Sequence, residues 1–251
     1  MTRLALITGG HRGIGLGIAQ ALAADGWALA LASEVAPDDQ EVAAALGALP
    51  GAQYYQLDVT DTQSHAAVLD RVEAAQGPLT SLVSNAGVPA MVRGDLLDMG
   101  TDSFDRCIAV NTRGTFFLAQ ASAKRLLAAP ETHHKSMIFV TSVSATMASL
   151  GRGEYCMSKA AAAMAVQLFA LRLAPHGIGV YELRPGIIDT PMTAGVKDRY
   201  TTEIENGLVP ARRWGTPADI GGAVLPLANG QMPFATGSAI ALDGALSVAH
   251  F

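Results

Sequence analysis

Short apolar segments alternate with longer helical patterns along this whole chain. Seven segments have the length and composition of strands: Leu4–Thr8, Ala28–Ala32, Gln53–Gln56, Ser81–Ser84, Met137–Ser142, Gly179–Leu183 and Ala239–Leu242. Helical periodicity is found over Ile14–Ala24, Gln40–Leu46, Thr62–Ala74, Asp102–Ala128, Tyr155–Ala174 and Ala218–Leu227. Alternation at this spacing predicts consecutive βαβ units. Because such units have right-handed crossovers, we expect an α/β fold with a doubly wound, seven-stranded parallel sheet and helices on both faces.

The composition supports one folded domain over residues 1–251. Half of the residues are hydrophobic and only 16% are charged, which favours a large core and excludes extended disorder. The net charge of −5 argues against a nucleic-acid partner, which would require a basic face. The first apolar run is too short for a signal peptide, and no run reaches the roughly 18 apolar residues of a membrane span. We therefore expect a cytoplasmic protein that has no membrane partner.

Residues 187–214 interrupt the strand–helix alternation. The segment contains prolines and glycines among spaced apolar side chains: Pro191, Met192, Gly195, Val196, Tyr200, Ile204, Gly207, Leu208 and Pro210. This pattern predicts one or two short helices. Because the segment follows a late strand, at the edge where parallel sheets bind ligands, we expect it to form a lid over a site. An ordinary surface excursion is the alternative.

The first predicted strand leads directly into a glycine-rich turn that begins the first helix. Gly9, Gly13 and Gly15 allow a tight turn and let a pyrophosphate approach the N–H groups at the positive end of the helix. Arg12 and Ile14 lie in the same turn and complete the predicted phosphate site. The G-x-x-x-G-x-G spacing differs from the more common G-x-G-x-x-G fingerprint. Its position between the first strand and the first helix nevertheless predicts a dinucleotide cofactor.

The end of the second strand bears on which dinucleotide is bound. An acidic side chain there binds the ribose hydroxyls of NAD, and the expected position holds Ser33. Ser33 leaves room for a 2′-phosphate that Arg12 could pair with, so the sequence favours NADP. Glu34, the next residue, favours NAD, which stays the alternative. Asp58 and Val59 follow the third strand and are predicted to border the adenine, although Asp58 could instead begin a helix.

Tyr155 and Lys159 stand four residues apart in a helical pattern, so both side chains lie on one face of the helix. The nearby ammonium is expected to favour the phenolate and to lower the pKa of Tyr155 from about 10. A phenol tuned in this way can exchange a proton with an alcohol or a carbonyl near neutral pH. By itself the pair could equally be an exposed helix face, and its interpretation depends on the other patterns.

Small and polar residues end two further predicted strands. Asn85, Ala86 and Gly87 follow the fourth strand and would let a cofactor lie flat against the strand ends, with an Asn-x-Gly turn as the competing explanation. Ser142 ends the fifth strand at the carboxyl edge, where ligands bind in open α/β sheets. Its hydroxyl could hold a substrate oxygen. Ser144 is a nearby hydroxyl whose spacing to the tyrosine fits less well.

The motifs together resemble those of the short-chain dehydrogenase/reductase family, in order and in spacing, over essentially the whole chain. They are Thr8-Gly9-x-x-x-Gly13-Ile14-Gly15, Asn85-Ala86-Gly87, Asn111, Ser142, Tyr155-x-x-x-Lys159 and Pro185-Gly186. The resemblance implies a Rossmann-type domain. It also implies an NAD(P)-dependent oxidoreductase that transfers a hydride between the cofactor and a carbonyl or secondary alcohol.

The resemblance implies a role for each residue of the active group. Tyr155 is expected to be the general acid or base, Ser142 to hold the substrate oxygen, and Lys159 to tune Tyr155 and bind the nicotinamide ribose. Asn111 is expected to help hold a water that links Lys159 to solvent, whereas the alternative is a solvent-facing helix residue. Further cofactor contacts are implied for the segment after the sixth strand, at Pro185, Gly186, Ile188 and Thr190.

The substrate stays open at the level of the sequence. The C-terminal part of the chain is similar to 3-oxoacyl-[acyl-carrier-protein] reductases, but an acidic carrier protein would need a basic rim near the site. The candidates for such a rim are Lys124, Arg125, His133 and His176. A free ketone, sugar or polyol is the other substrate class. Outside the enzymes, a non-catalytic dinucleotide-binding sensor is the alternative.

The resemblance further implies a homotetramer in which two long helices form the interface. The alanine-rich helix predicted over Tyr155–Ala174 suits that role. The two cysteines, Cys107 and Cys156, predict neither a disulfide framework nor a metal site. The six histidines show no metal-binding spacing, so we expect no metal.

Overall fold

The computed structural model describes residues 2–249. The strands in this range are β1 Leu4–Thr8, β2 Ala28–Ser33, β3 Gln53–Gln56, β4 Ser81–Ser84, β5 Lys135–Val140, β6 Ile178–Pro185 and β7 Ala239–Leu242. All neighbouring strands pair in parallel, in the order β3-β2-β1-β4-β5-β6-β7. The predicted seven-stranded, doubly wound sheet is therefore confirmed. Because the strand order reverses between β1 and β4, their carboxyl ends border a crevice suited to a ligand.

The helices that cover the sheet largely follow the predicted pattern. They are α1 Gly13–Ala24, α2 Gln40–Ala48, α3 His65–Gln76, α4 Thr101–Cys107, α5 Thr115–Ala128, α6 Gly153–Leu173, α7 Lys197–Glu205 and α8 Pro217–Ala228. The prediction of one helix over Asp102–Ala128 is wrong, because a π-helical segment, Ile108–Gly114, separates α4 from α5. Tertiary contacts favour this wider turn. Gly114 packs so closely against Val59 that a Cβ would lie 2.6 Å from its carbonyl oxygen.

Alternate residues of β1 face opposite sides of the sheet, as the two-residue period of a strand requires. Leu4 and Leu6 belong to a core shared with α3, α5 and α6, whereas Ala5 and Ile7 belong to one shared with α1, α2 and α8. All four side chains are fully buried. Helices therefore cover both faces of the sheet, which explains the continuous apolar runs in the central strands.

Residues 187–214 contain a 3₁₀ segment at Pro191–Val196 followed by α7, in agreement with the predicted short helices. Tyr200 of α7 packs edge-to-face against Trp214. The Tyr200 hydroxyl accepts a hydrogen bond at 3.4 Å from the guanidinium of Arg93, in the loop after β4. Because both segments leave the sheet at the carboxyl ends of strands, this contact lies on the crevice side of the sheet.

The segment Leu150–His176, which contains α6, is long and apolar enough to cross a membrane by length and composition. This differs from the expectation that no segment meets such a criterion. Buried helices of globular proteins meet it too, and half of the apolar window is buried inside the fold. Val166 and Phe169 of α6 belong to the core beneath the sheet. The packing is that of a core helix.

Candidate active site

The turn between β1 and α1 has the geometry that a bound phosphate requires. Gly13 has a φ of +53°, in the left-handed region that favours glycine. A Cβ at Gly15 would overlap the carbonyl oxygen of Gly9 and lie 2.7 Å from Nδ2 of Asn85. No side chain caps the start of α1, whose N-cap residue is Arg12, so its first N–H groups can bind an anion. The turn therefore fits the pyrophosphate of a dinucleotide.

Neighbouring strand ends hold this turn in place. The Thr8 hydroxyl accepts hydrogen bonds from the backbone N–H groups of Asn85 and Ala86, both at 2.9 Å. Nδ2 of Asn85 donates to the Thr8 carbonyl, also at 2.9 Å. Asn85 therefore joins the end of β4 to the glycine turn. Thr190 lies on the other side of the turn, since a Cβ at Gly13 would be 3.5 Å from the Thr190 Cβ.

The groups predicted to bind a 2′-phosphate have partners within the protein. Nη1 of Arg12 donates to Oε2 of Glu41, on α2, at 2.9 Å. The Ser33 hydroxyl is buried and accepts hydrogen bonds from the Tyr54 hydroxyl and the Val35 N–H, both at 3.3 Å. A carboxylate therefore already neutralises the cation that the sequence assigned to the phosphate.

His11, which the sequence analysis did not single out, lies in the same glycine turn. Its side chain is buried, and neither ring nitrogen has a hydrogen-bond partner among residues 2–249. Burial lowers its pKa, as does the charge of Arg12, so the imidazole is neutral at pH 7. Its Nε2 lies 3.9 Å from Oε2 of Glu41, which is too far for a hydrogen bond. A buried imidazole without a hydrogen-bond partner beside the turn fits a site that holds a polar ligand. Its position between the glycines was the one signal available in the sequence.

Asp58 and Val59 follow β3 at the predicted adenine border. The exposed Asp58 carboxylate accepts hydrogen bonds from the N–H and the hydroxyl of Thr60, both at 2.8 Å, and does not cap α3. It also lines a pocket together with Glu34, at the carboxyl ends of β2 and β3. Val59 is buried against the π-helical segment. The Ile14 side chain packs partly against the core. Its backbone N–H is therefore the group of this residue that can bind an anion.

Asn111 is buried at the centre of a hydrogen-bond network, and the solvent-facing alternative is wrong. Its Oδ1 accepts from the Val88 N–H at 2.8 Å, and its Nδ2 donates to the Val88 carbonyl and the Ser158 hydroxyl, both at 2.9 Å. A Cβ at Gly87 would lie 3.1 Å from Oδ1 of Asn111 and 3.3 Å from Nζ of Lys159. The Asn111 amide and the Lys159 ammonium therefore both lie next to Gly87. The water that was predicted to link Lys159 to solvent stays a prediction.

Ser142 lies beyond the end of β5, which stops at Val140. The predicted strand was two residues too long there, because Ser142 begins a 3₁₀ turn and its Oγ accepts from the Ser144 N–H at 3.1 Å. The Ser142 side chain is near the Tyr155 phenol and acts to lower the pKa of that phenol. The buried Ser144 hydroxyl has no partner among the described residues and is a second hydroxyl beside the site.

Tyr155 and Lys159 share one face of α6, as their spacing predicted. Nζ of Lys159 lies 5.7 Å from the centroid of the Tyr155 ring and donates to the Val140 carbonyl at 3.1 Å. Lys159 is 6% exposed, so the interpretation as an exposed helix face is wrong. The pair therefore lies inside the fold, next to the carboxyl end of β5.

The prediction that Lys159 lowers the pKa of Tyr155 is wrong for this arrangement. Burial raises the pKa of Tyr155, and this effect outweighs the lowering by Ser142 and by the charge of Arg152. Burial also lowers the pKa of Lys159, from 10.5 to about 8. At neutral pH the phenol is therefore protonated and the lysine is mainly charged.

The segment after β6 is shaped by contacts within the protein. β6 ends at Pro185, and a Cβ at Gly186 would lie 2.7 Å from the Cβ of Asp243, the residue that follows β7. This close packing is a sufficient reason for glycine. The Ile188 side chain is buried, and its carbonyl accepts a hydrogen bond from the Thr193 hydroxyl at 2.8 Å. The predicted cofactor contacts of these residues stay predictions.

Two charged residues beside Tyr155 were not predicted. The guanidinium carbon of Arg152 lies 5.6 Å from the centroid of the Tyr155 ring. Glu154 is buried, and its Oε1 accepts a hydrogen bond from the Ser103 hydroxyl on α4. Adjacency to Tyr155 in the sequence was the available signal for both residues.

Comparison with known proteins agrees with this geometry. The family model described as Enoyl-(Acyl carrier protein) reductase matches residues 9–247. The 3-oxoacyl-[acyl-carrier-protein] reductase MabA of Mycobacterium tuberculosis is 34% identical over 253 residues, which cover 100% of this chain and 95% of that protein.

Two solved structures that resemble this chain contain a nicotinamide dinucleotide. The 3-oxoacyl-[acyl-carrier protein] reductase from Brucella melitensis in complex with NAD is 46% identical, with a TM-score of 0.95, and the match covers 100% of this chain and 99% of that one. A structure described as a 2-deoxy-D-gluconate 3-dehydrogenase from Agrobacterium tumefaciens with bound NADP is 28% identical, with a TM-score of 0.85 and coverage of 98% and 97%. This chain therefore belongs to the short-chain dehydrogenase/reductase family of oxidoreductases, which use a nicotinamide dinucleotide and act on hydroxyl and carbonyl groups.

Proposed function

We propose that Tyr155 is the acid–base residue of an NAD-dependent enzyme that interconverts a carbonyl group and a secondary alcohol on a small, free substrate. The observation that carries this proposal is the meeting of Tyr155, Lys159 and Ser142 at the carboxyl end of β5. Gly87, which follows β4, and Asn111 lie next to Lys159 on the side of β4. Open parallel sheets bind their ligands at this edge.

The chemistry follows from the protonation states of the two ionisable side chains. A bound nicotinamide supplies or accepts the hydride. In the direction of reduction, the Tyr155 phenol donates its proton to the substrate oxygen as negative charge develops there. The Ser142 hydroxyl donates a hydrogen bond to the same oxygen, and the Lys159 ammonium stabilises the phenolate that is left. In the direction of oxidation, the phenolate takes the proton back.

The test is the oxidation of NADH in the presence of a panel of ketones, oxo acids and acyl thioesters. The variant Tyr155→Phe keeps the ring but lacks the proton, and it should lose about 10²- to 10⁴-fold in kcat. Calorimetric titration with NADH should show that it still binds the cofactor. Equal turnover by the two proteins would contradict the role of Tyr155. No turnover by the wild type would favour the non-catalytic sensor.

We propose NAD as the physiological cofactor, although the sequence alone favoured NADP. The support is the ion pair between Arg12 and Glu41, together with the partners of the Ser33 hydroxyl. A 2′-phosphate would have to displace the Glu41 carboxylate, and His11 is neutral and adds no positive charge. We expect kcat/KM to be at least about 10-fold higher with NADH than with NADPH. The preference should shrink in Glu41→Gln, and a preference for NADPH in the wild type would refute the proposal.

We propose a free substrate because the predicted basic rim for a carrier protein is weak. Arg125 is paired with the carboxylates of Asp70 and Glu73, and Nε2 of His176 accepts a hydrogen bond at 2.9 Å from the guanidinium of Arg172. An acyl thioester should therefore be reduced equally well on a carrier protein and on N-acetylcysteamine. A large advantage for the carrier protein that disappears as salt is added would contradict this part of the proposal.

We propose that residues 187–214 act as a lid over the substrate. The support is the contact of Tyr200 with Arg93, which joins the segment to the loop after β4. Tyr200→Phe removes that hydrogen bond and keeps the packing against Trp214. It should raise the KM for the substrate and leave the affinity for NADH unchanged. An unchanged KM would argue for an ordinary surface segment.

We also propose self-association through α6, in line with the expected homotetramer. Exposed apolar side chains recur along one face of this helix: Met157, Met164, Leu168 and Leu171. Phe117 adds an exposed aromatic ring on the neighbouring helix α5. Such a continuous apolar face favours burial against a second copy. Light scattering should give a tetramer for the wild type and a smaller species for Leu168→Glu, whereas a monomeric wild type would refute the proposal.

A further inference from the structure

Arg152 places a second positive charge beside the tyrosine of the site. It is the N-cap residue of α6, and its guanidinium carbon lies 5.6 Å from the centroid of the Tyr155 ring. Its charge reaches the phenol, since it acts to lower the pKa of Tyr155. The side chain is half-buried. A guanidinium in this position is within reach of a molecule bound at the Tyr155 hydroxyl.

Within the described part of the chain, Arg152 has no carboxylate partner. Six of the twelve other arginines are paired with a carboxylate, and the six that are not are exposed, unlike Arg152. The paired ones are Arg3, Arg12, Arg125, Arg184, Arg199 and Arg213. The acid nearest to Arg152 in sequence, Glu154, is bound instead by the Ser103 hydroxyl. The Arg152 guanidinium instead lies over the Tyr155 ring. A half-buried guanidinium without an anion is unusual, because partial desolvation of a charge is costly unless it is paired.

The surroundings of Tyr155 are therefore positively charged. Lys159 supplies the first charge and donates one hydrogen bond to the Val140 carbonyl. Arg152 supplies the second, with donors arranged as a planar fork that matches a carboxylate. A neutral ketone or a thioester would leave this fork without a partner.

We propose that Arg152 binds a carboxylate of the substrate, so that this enzyme acts on a small oxo or hydroxy acid whose charged group lies within a few bonds of the reacting carbon. The inference rests on the function proposed above and names its substrate class. In reduction, hydride from the reduced nicotinamide adds to the carbonyl carbon, and the C=O π electrons move to the oxygen. That oxygen takes the Tyr155 proton, while the carboxylate stays unchanged on Arg152.

The test compares acids with their own neutral esters. The probes are 2-oxobutanoate, 3-oxobutanoate and 4-oxopentanoate, each with its methyl ester, and an N-acetylcysteamine 3-oxoacyl thioester. For at least one pair, the wild type should show a kcat/KM for the acid about 10- to 100-fold above that for the ester, as expected for a charge-assisted bidentate contact. In Arg152→Gln this acid-to-ester ratio should fall to near one. Arg172→Gln, on the far end of the same helix, is the matched control and should keep the ratio.

The ratio separates substrate binding from an effect of Arg152 on Tyr155. If Arg152→Gln lowers acid and ester turnover equally, the residue acts through the phenol and the proposal is overturned. It is also overturned if the wild type reduces no oxo acid, or reduces esters or the thioester as well as acids. If the enzyme turns over only neutral substrates, and this turnover depends on Tyr155, the substrate class proposed for Arg152 is wrong and the proposed function still holds. Turnover that does not depend on Tyr155 would instead remove the proposed function.

Discussion

Lys159→Met should stabilise the fold while it removes activity. The Lys159 ammonium is 6% exposed, and burial lowers its pKa from 10.5 to about 8. At about 1.4 kcal/mol for each pH unit, keeping this group charged in the fold at neutral pH costs about 3 kcal/mol. Loss of the hydrogen bond to the Val140 carbonyl offsets about 1 kcal/mol of that gain. The free energy of unfolding at pH 7 should therefore rise by about 2 kcal/mol in the variant.

This gain has a defined pH dependence. Below about pH 8, Lys159 is charged in both the folded and the unfolded chain, so the wild type carries the full cost. Between about pH 8 and 10.5 the folded protein has lost the proton while the unfolded chain still binds it, so the stability of the wild type rises with pH. The advantage of the variant should therefore shrink by about 2 kcal/mol between pH 7 and pH 9.5.

The assay is urea unfolding of both proteins, followed by circular dichroism at pH 7 and pH 9.5 and at one protein concentration, since self-association affects the midpoint. Lys124→Met, at an exposed position of α5, is the matched control and should change stability by less than about 0.5 kcal/mol at both pH values. The reasoning is refuted if Lys159→Met is less stable than the wild type at pH 7. It is also refuted if the difference is the same at both pH values.

Three further predictions test the glycine turn, the buried amide of Asn111 and the proposed role of the Lys159 charge. Gly15→Ala should abolish NADH binding in calorimetric titration, because its Cβ would overlap the Gly9 carbonyl oxygen, and retained affinity would contradict the role of the turn. Asn111→Leu leaves the N–H and C=O of Val88 without their partner and should lower the free energy of unfolding by about 2 to 3 kcal/mol, so an effect below about 0.5 kcal/mol would count against the network. In reduction, kcat/KM should decline as the pH rises through about 8, where the free enzyme loses the Lys159 ammonium, and a flat profile from pH 6 to 9 would show that this charge is not needed.

Asn111 lies buried in a π-helical segment that the sequence did not predict. Asparagine is a poor residue inside a helix, and that local signal marked the position as unusual. The periodicity around it nevertheless predicted one continuous helix. The π-helical turn depends on the Val88 backbone and on the close approach of Gly114 to Val59, which are distant in sequence. No local propensity contains that information.

The parallel sheet, its doubly wound arrangement and the position of the glycine turn could all be predicted from the sequence. Strand and helix periodicities are local properties, and right-handed crossovers leave few ways to assemble them. The four-residue spacing of Tyr155 and Lys159 likewise sufficed to place both on one face of α6.

The electrostatics of the site, in contrast, depend on how distant parts of the chain pack together. The pKa of Tyr155 is raised because burial outweighs the charges around it, and burial is a property of the assembled fold. Arg12 is paired with Glu41, which lies 29 residues away, whereas Arg152 has no carboxylate partner within residues 2–249. Charge pairing depends on distances across the fold. These distances separate Arg12, whose charge a carboxylate neutralises, from Arg152, whose charge is not paired among the described residues.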